Sequence, residues 1–209
     1  MRQLYFVKSL EEDFHTKLLR GKKKINFQSL NDMLRRKMIK PNTMSFGRKR
    51  RLSTTILSDN YLKTYRPQGI IFTTAEKPEY VLPCDLVLFS KAEKIVVHYY
   101  RIKNNLHEYY NHELISGFER FLFKTFNALL KTFSSPKQVW TAVNAFRKRA
   151  GCGALQKEKY RLVEYNEAVF HKPIRIVPVA IFGYRKEART LAKKHHLPHH
   201  MSAKAFWKA

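Results

Sequence analysis

Cysteine, glycine and acidic residues are scarce in this chain of 209 residues. The two cysteines, Cys84 and Cys152, do not provide a disulfide framework, which favours a reducing, intracellular location in the cytoplasm or the nucleus. The seven glycines form neither a Gly-rich phosphate loop nor a nucleophile elbow. The sequence therefore lacks the signatures of nucleotide-binding domains, proteases and glycosidases.

Long apolar runs are missing as well. No stretch approaches the length that is needed to cross a bilayer. The apolar part of the N-terminal segment 1–7 is too short for a secretory signal, and an acidic run at 11–13 follows almost at once. We therefore expect neither a transmembrane segment nor a signal peptide.

Positive charge dominates what is present. Lys and Arg number 41 against 16 Asp and Glu, a formal net charge of +25, while 44% of the residues are apolar. That apolar content is enough for a folded core, so the cations belong to the surface of a folded body and not to a disordered tail. Such a surface repels itself unless a polyanion neutralises it, which makes nucleic acid, either DNA or RNA, the expected partner. An anionic membrane surface is the less favoured alternative.

Two basic clusters are candidate phosphate contacts, because dense cations contact the phosphate backbone in nucleic-acid-binding proteins. The second of them is also compatible with a nuclear-import signal. The two clusters are Lys22, Lys23 and Lys24, and Arg48, Lys49, Arg50 and Arg51.

The first 44 residues are predicted to form a basic helical hairpin ahead of the main domain. Residues 9–12 have the pattern of a capping box, and apolar residues follow at helical spacing. Asn26 is predicted to cap a second helix whose apolar face extends to Met38. The other face of that helix carries Arg35 and Arg36, which either form a solvated surface or contact phosphate.

Residues 81–105 are predicted to form a β-hairpin at the centre of the sheet. The two strands, 84–89 and 95–102, are rich in β-branched and aromatic residues, and a short polar turn joins them. Asp85 opens the first strand, and Lys103 follows the second. In a metal-dependent nuclease, such a carboxylate holds a divalent cation near the scissile phosphate, and the lysine orients the attacking water.

Pro83-Cys84-Asp85, the hairpin and Arg101-Ile102-Lys103 together resemble the PD-(D/E)xK nuclease superfamily, in its nuclease-related-domain and Mrr-like branch. The resemblance implies a restriction-endonuclease-like α/β fold over residues 45–209, a mixed sheet flanked by helices. It implies Asp85 as a metal ligand, with Mg²⁺ or Mn²⁺ as the cofactor of an active enzyme. Asp85 and Lys103 would then be catalytic.

The chain departs from the family pattern at one position. Arg101 stands where the family has its second metal-binding acid, and a cation there repels a metal. In some branches of the superfamily a helix supplies the missing acid. Glu113, on a long amphipathic helix predicted at 106–133, is the candidate for that catalytic role, and an acid of the hairpin is the alternative.

Local patterns predict further elements on both sides of the hairpin. The spacing of His195, His196, His199 and His200 is too irregular to favour a metal site over a polar edge or phosphate contacts. The elements are a helix at 52–57, a strand at 69–74, a helix from Pro136, a strand at 174–183 with an edge or bulge at Pro178, a helix at 185–196, a short strand at 197–201 and a terminal helix capped by Ser202.

Two functions of different class follow from these observations. We favour a nucleic-acid-binding protein on a nuclease-like fold that is catalytically lapsed, with Arg101 and Lys103 in contact with phosphate. The alternative is an active metal-dependent endonuclease that hydrolyses phosphodiester bonds in DNA or RNA. Arg101 separates the two, because a catalytic metal site rarely tolerates a cation in place of a ligand.

Overall fold

The computed structural model describes residues 3–10, 29–41, 43–44, 50–59, 61–64, 66–82, 136–149 and 164–209. They form an α/β fold with a mixed eight-stranded sheet and helices on both of its faces. The strands are β1 (Phe6–Leu10), β2 (Met38–Ile39), β3 (Thr43–Met44), β4 (Arg50–Ile56), β5 (Gln68–Thr73), β6 (Tyr80–Leu82), β7 (Glu167–Phe170), β8 (Ile174–Arg175), β9 (Val177–Phe182) and β10 (His199–His200). The helices are α1 (Leu30–Arg36), α2 (Pro136–Arg149), α3 (Lys186–Lys194) and α4 (Ala203–Trp207).

The large sheet has the strand order β10-β9-β5-β1-β4-β7-β6, and β3 pairs with β4 outside this path. β10 and β9 are parallel, and the other neighbours in the sheet are antiparallel. β2 and β8 form a separate two-stranded antiparallel sheet. The prediction of a mixed α/β sheet flanked by helices is confirmed, and its restriction-endonuclease-like character stays a prediction.

Two cores lie on opposite faces of the large sheet. Phe6 and Leu10 of β1 face the first core, and Val7 between them faces the second. Helices α1 and α3 pack into the first core, and α4 packs into the second. Because both faces of the central strands are covered, the sheet holds α1 and α3 in a fixed orientation on one side.

The N-terminal segment differs from its prediction. Ser9 and Leu10 end strand β1 and do not begin a helix, so the predicted capping box is wrong. The local spacing suits a helix, but the segment pairs along its full length with β5 and also with β4. Pairing with β5 and the burial of Leu10 in the first core outweigh a local capping pattern. The rest of the predicted first helix lies outside the described residues.

The second predicted helix is present but shorter. α1 begins after Ser29, whose Oγ accepts a hydrogen bond from the Asp32 N–H at 3.1 Å, and not after Asn26. Lys37 ends the helix in the left-handed conformation, with φ 47°, and Met38 lies in β2. β1 and α1 share the first core with strands that follow residue 44, and the domain boundary predicted there remains untested.

The helix predicted at 52–57 is wrong, because this segment belongs to strand β4. Thr54, Thr55 and Ile56 are β-branched, which favours extended chain, and β4 is held between β1 and β7. Arg50 and Arg51 open the strand and pair with β3. The second basic cluster therefore ends in a strand and is not a loop throughout.

Several predictions for the C-terminal part are confirmed. β5 forms the strand predicted at 69–74. The single strand predicted at 174–183 is divided, because β8 pairs with β2 in the small sheet while β9 lies in the large sheet between β10 and β5. β9 carries the bulge predicted at Pro178, since Ile71 pairs with Ala180 but Phe72 with Pro178. Pro136 begins α2, and α3, β10 and α4 follow in the predicted order. Ser202 Oγ caps α4 by accepting from the Ala205 N–H at 3.1 Å. The predicted hairpin at 84–102 and the long helix at 106–133 lie outside the described residues.

Candidate nucleic-acid interface

Helix α3 exposes a row of cations on its outer side. Its inner side carries Ala188 and Ala192, which are buried in the first core and allow the helix to lie close to the sheet. Residues three, four and seven apart fall on one side of a helix, so the cations at 186, 189 and 193 are aligned. The exposed cations are Lys186, Arg189, Lys193 and Lys194. Within the described ranges, none of the four is paired with a carboxylate.

Helix α1 adds two cations whose charge is partly neutralised. Asp32 Oδ1 accepts from Arg36 Nε at 2.7 Å and from Arg35 Nη2 at 3.3 Å. The side chains of Arg35 and Arg36 nevertheless remain 68% and 52% exposed. Ion pairs this exposed contribute little to stability, so a phosphate can compete with Asp32 for the guanidinium groups.

The two helices are joined by a hydrogen bond between Asn31 and His195. His195 Nε2 lies 3.0 Å from Asn31 Oδ1, and because the amide oxygen only accepts, the ring is the donor. Burial, followed by repulsion from Lys194 and His196, lowers the pKa of His195 below its ordinary value of 6.5. The contact places the first turn of α1 beside the last turn of α3.

We call the exposed cations of these two adjoining helices the basic helical surface. Its position is fixed because both helices pack into the first core and are bonded to each other through Asn31. The arginines provide planar donors that can bind a phosphate in bidentate fashion, and the lysines provide point charges. The surface consists of Arg35, Arg36, Lys186, Arg189, Lys193 and Lys194.

The parallel strands β9 and β10 end side by side where α3 begins. The Gly183 N–H donates to the His200 carbonyl at 2.9 Å, and His199 Nε2 donates to the Gly183 carbonyl at 2.8 Å. Gly183 has φ 146°, a conformation in which a residue with a side chain would be strained. The next residue, Tyr184, is 54% exposed, and the guanidinium carbon of Arg185 lies 6.0 Å from the centre of its ring.

A second polar arrangement crosses β1, β4 and β7. Lys8 Nζ donates to the Ser53 carbonyl at 3.3 Å, and Ser53 Oγ donates to Glu167 Oε1 at 2.6 Å. Glu167 is only 7% exposed, so this hydroxyl offsets part of the cost of burying its carboxylate. The paired register of β1 and β4 stops at Val7 and Thr55, and Lys8 reaches the backbone where the ladder opens. We interpret this arrangement as structural.

The predicted catalytic and metal-binding residues lie outside the described part of the chain. They are Asp85, Lys103 and Glu113. Most of the predicted phosphate contacts lie outside it as well, namely Lys22, Lys23, Lys24, Arg48, Lys49 and Arg101. Of the predicted contacts, Arg50 and Arg51 are placed, at the start of β4. The roles assigned to all of these residues stay predictions.

The cations of α3 are not among the residues that the sequence led us to expect at phosphate. The sequence nevertheless holds a signal for them, because Lys186, Arg189 and Lys193 recur at helical spacing opposite two alanines. Cations that are adjacent in sequence form an evident cluster, whereas cations three or four residues apart become neighbours only once the segment is helical.

Metal binding finds no support among the residues described. Within them, no group of three or more His, Cys, Asp or Glu side chains could hold a metal ion. The ring of His195 contacts Asn31, that of His199 bonds Gly183, and that of His200 packs edge-on against Phe206 at 5.4 Å. The expectation of Mg²⁺ or Mn²⁺ depends on Asp85 and stays a prediction.

Comparisons with known proteins do not identify a family. No protein-family profile, no curated protein and no solved structure matches the chain significantly. The resemblance to PD-(D/E)xK nucleases therefore rests on the motif between Pro83 and Lys103 alone. Any function has to be argued from the charge and geometry of the described residues.

Proposed function

We propose that this protein binds nucleic acid and that the basic helical surface contacts the phosphates. The observation that carries the proposal is the set of four exposed cations on α3, which are paired with no carboxylate among the described residues. When Lys and Arg side chains bind phosphates, condensed counterions leave the nucleic acid. The free energy of this counterion release supplies most of the affinity of sequence-independent binding. The net charge of +25 acts in the same direction over the whole chain.

The rigidity of the surface supports the proposal. α1 and α3 are held by the same core, so the backbone positions from which their cations extend are already set before a phosphate backbone is met. A preorganised surface loses less conformational entropy on binding than cations on a disordered tail. Arg35 and Arg36 exchange one shared carboxylate, Asp32, for phosphate oxygens, so their desolvation is compensated.

An anionic lipid surface is the alternative polyanion, and it is the weaker one. No helix in the described part of the chain is both long and apolar enough to span a membrane. Peripheral binding to such a surface gains affinity from apolar side chains that enter the lipid beside the cations. The cations of α3 lie beside polar Thr190, and among the described residues the exposed apolar side chains near this helix are Tyr184 and Met201. Two isolated side chains do not form the apolar face with which an amphipathic helix enters lipid.

The first test is the salt dependence of binding. Fluorescence anisotropy would follow labelled single-stranded DNA, duplex DNA and structured RNA titrated with the full chain at rising salt. We expect the affinity to fall steeply between low and moderate salt, because counterions are released on binding. Vesicles rich in phosphatidylserine form the comparison arm. An affinity for nucleic acid that stays flat over this range, or stronger binding to the vesicles, would overturn the proposal.

The second test locates the surface. The triple variant Lys186→Ala, Arg189→Ala and Lys193→Ala should weaken binding to all sequences alike and reduce the salt slope. The matched control removes the same charge from exposed positions elsewhere, through Lys137→Ala, Lys148→Ala and Lys172→Ala. An equal loss of affinity in both variants would mean that binding follows net charge and not this surface.

A further inference from the structure

We infer that Tyr184 is a stacking platform for an unpaired base, so that the nucleic acid bound beside α3 is single-stranded. The inference rests on the proposed nucleic-acid binding and specifies the ligand of the same site. Three large hydrophobic side chains are exposed among the described residues. Two of them lie just after the C-terminal ends of neighbouring strands: Tyr184, 54% exposed, is two residues beyond β9, and Met201, 56% exposed, directly follows β10. The third, Val177, begins β9 at the opposite end of that strand.

Register places the apolar pair next to the cations. Phe182 of β9 lies opposite His200 of β10 in a parallel pair, so Tyr184 and Met201 emerge at the same end of the sheet. Lys186 begins α3 two residues after Tyr184. The aligned cations of α3 therefore begin two residues after the exposed aromatic ring. One nucleic-acid strand can then place a base on the ring and its next phosphates along α3.

The turn that carries Tyr184 is held on both sides. Hydrogen bonds from the Gly183 N–H and to the Gly183 carbonyl tie it to His200 and His199. A Cβ at Gly183 would lie 2.8 Å from Gln68 Cβ, so this close approach and the φ of 146° both require glycine. An aromatic ring on a fixed turn has a lower ordering cost on binding, because the backbone that carries it is already set.

Arg185 adds a cation to the same ring. Its guanidinium carbon is 6.0 Å from the ring centre of Tyr184, within the range of a cation–π contact. Arg185 precedes α3 as its N-cap and makes no side-chain cap hydrogen bond. A cation beside an aromatic ring is the combination that single-strand-binding proteins present, since the ring takes the base and the cation the adjoining phosphate.

Stacking on Tyr184 separates single strands from duplexes. Inside a duplex each base is covered by its neighbours, so away from the duplex ends a protein ring can stack only on a base that is unpaired or displaced. Stacking is tolerant of sequence because every base has a π-face. The geometry thus points to a ligand with exposed bases and little sequence preference.

The deciding experiment compares three probes of equal charge per strand on the full-length protein. They are an oligodeoxythymidine, an abasic oligonucleotide of the same length and a duplex. Wild type should prefer the oligodeoxythymidine to the abasic strand, and Tyr184→Ala should lose that preference, with about a tenfold or larger fall in affinity for oligodeoxythymidine alone. Tyr184→Phe keeps the ring and should bind as wild type does, and Val177→Ala is the matched exposed apolar control.

The outcomes distinguish this inference from the proposed function. If Tyr184→Ala binds all probes as wild type does, while the α3 triple variant binds them weakly, base stacking is overturned and phosphate binding stands. If the triple variant also binds as wild type does, the proposed surface is overturned as well. A change of oligomeric state in Tyr184→Ala, measured by size-exclusion chromatography with unaltered single-strand affinity, would assign the ring to a protein interface and overturn the inference.

Discussion

The side chain of Asn166 replaces a strand in bonding to the backbone of Ile56. The Ile56 N–H donates to Asn166 Oδ1 at 2.8 Å, and Asn166 Nδ2 donates to the Ile56 carbonyl at 2.8 Å. The last registered pair of β4 and β7 is Thr54 with Ala168, so the amide continues the ladder beyond its end. Asn166 is 3% exposed, which leaves no water to take over these bonds.

The first prediction concerns this contact. Asn166→Ala should lower the free energy of unfolding by about 2–5 kcal/mol, because it leaves a buried N–H and a buried carbonyl unpaired. Urea denaturation followed by circular dichroism measures the loss. Thr190→Ala, on the exposed side of α3, serves as control and should change stability by less than about 0.5 kcal/mol. Similar stability of the two variants would contradict a structural role for the amide.

The second prediction concerns the approach of β1 to β5. A Cβ at Gly69 would lie 2.2 Å from the Lys8 carbonyl oxygen and 2.9 Å from Ser9 Cα. Both are backbone atoms in the middle of the sheet, so Gly69→Ala should cost about 3 kcal/mol or more in unfolding free energy. Ser9→Ala, on the residue opposite Gly69, should be tolerated within about 1 kcal/mol. A Gly69→Ala protein with the same melting temperature as wild type would contradict the close pairing of β1 with β5.

The third prediction concerns acid sensitivity at the junction of α1 and α3. Burial and neighbouring cations lower the pKa of His195 in the folded protein below its ordinary value of 6.5. The unfolded chain therefore binds a proton first as the pH falls, so His195 stabilises the fold fully above about pH 6.5 and loses this contribution as the pH approaches the lowered pKa. The melting temperature should fall over that window, and His195→Gln should flatten the decline.

His196→Asn is the control for this titration. It removes an exposed histidine with φ 53°, a conformation that asparagine tolerates. This variant should keep most of the acid-dependent fall in melting temperature, because burial, the largest cause of the lowered pKa of His195, stays in place. If His195→Gln and wild type lose melting temperature in parallel between neutral and mildly acidic pH, His195 is not the sensor.

The fourth prediction concerns Asp85 and Lys103, the residues of the predicted hairpin that resemble a nuclease motif. Because Arg101 takes the place of an acid, we expect wild type to bind supercoiled plasmid and single-stranded RNA without cutting them in Mg²⁺ or Mn²⁺. Asp85→Ala should bind as well or better, since a carboxylate repels phosphate, and Lys103→Ala should bind more weakly. Gel electrophoresis and anisotropy measure the two properties. Metal-dependent cleavage that disappears in both variants would instead establish an active nuclease.

The match between sequence and fold is best where the signals are local. Ser202 caps α4 as its residue type and position predict, and Pro136 begins α2. The bulge at Pro178 follows from a missing backbone donor. Each of these features depends on a few neighbouring residues, whose chemistry is the same in any surrounding fold.

Where the predictions of secondary structure are wrong, pairing with strands distant in sequence determines the structure. Residues 9–12 have a capping pattern, but Ser9 and Leu10 become a strand because they pair with Gly69 and Gln68 of β5. Thr54 and Thr55 are likewise fixed by pairing with β1 and β7, and no local pattern encodes those neighbours.

The sequence alone determined that this protein is a folded and strongly basic body, because charge and apolar content do not depend on the fold. Its local patterns of helices and strands also predicted the mixed α/β type. It also marked Asp85 and Lys103 as a pair worth testing, although it left the cations of α3 unassigned. Only the tertiary structure decided that α1 and α3 adjoin, through a contact between Asn31 and His195 that spans 164 positions. The physical reason is that both helices bury apolar sides against one face of the sheet, and the pairing of distant strands creates that face.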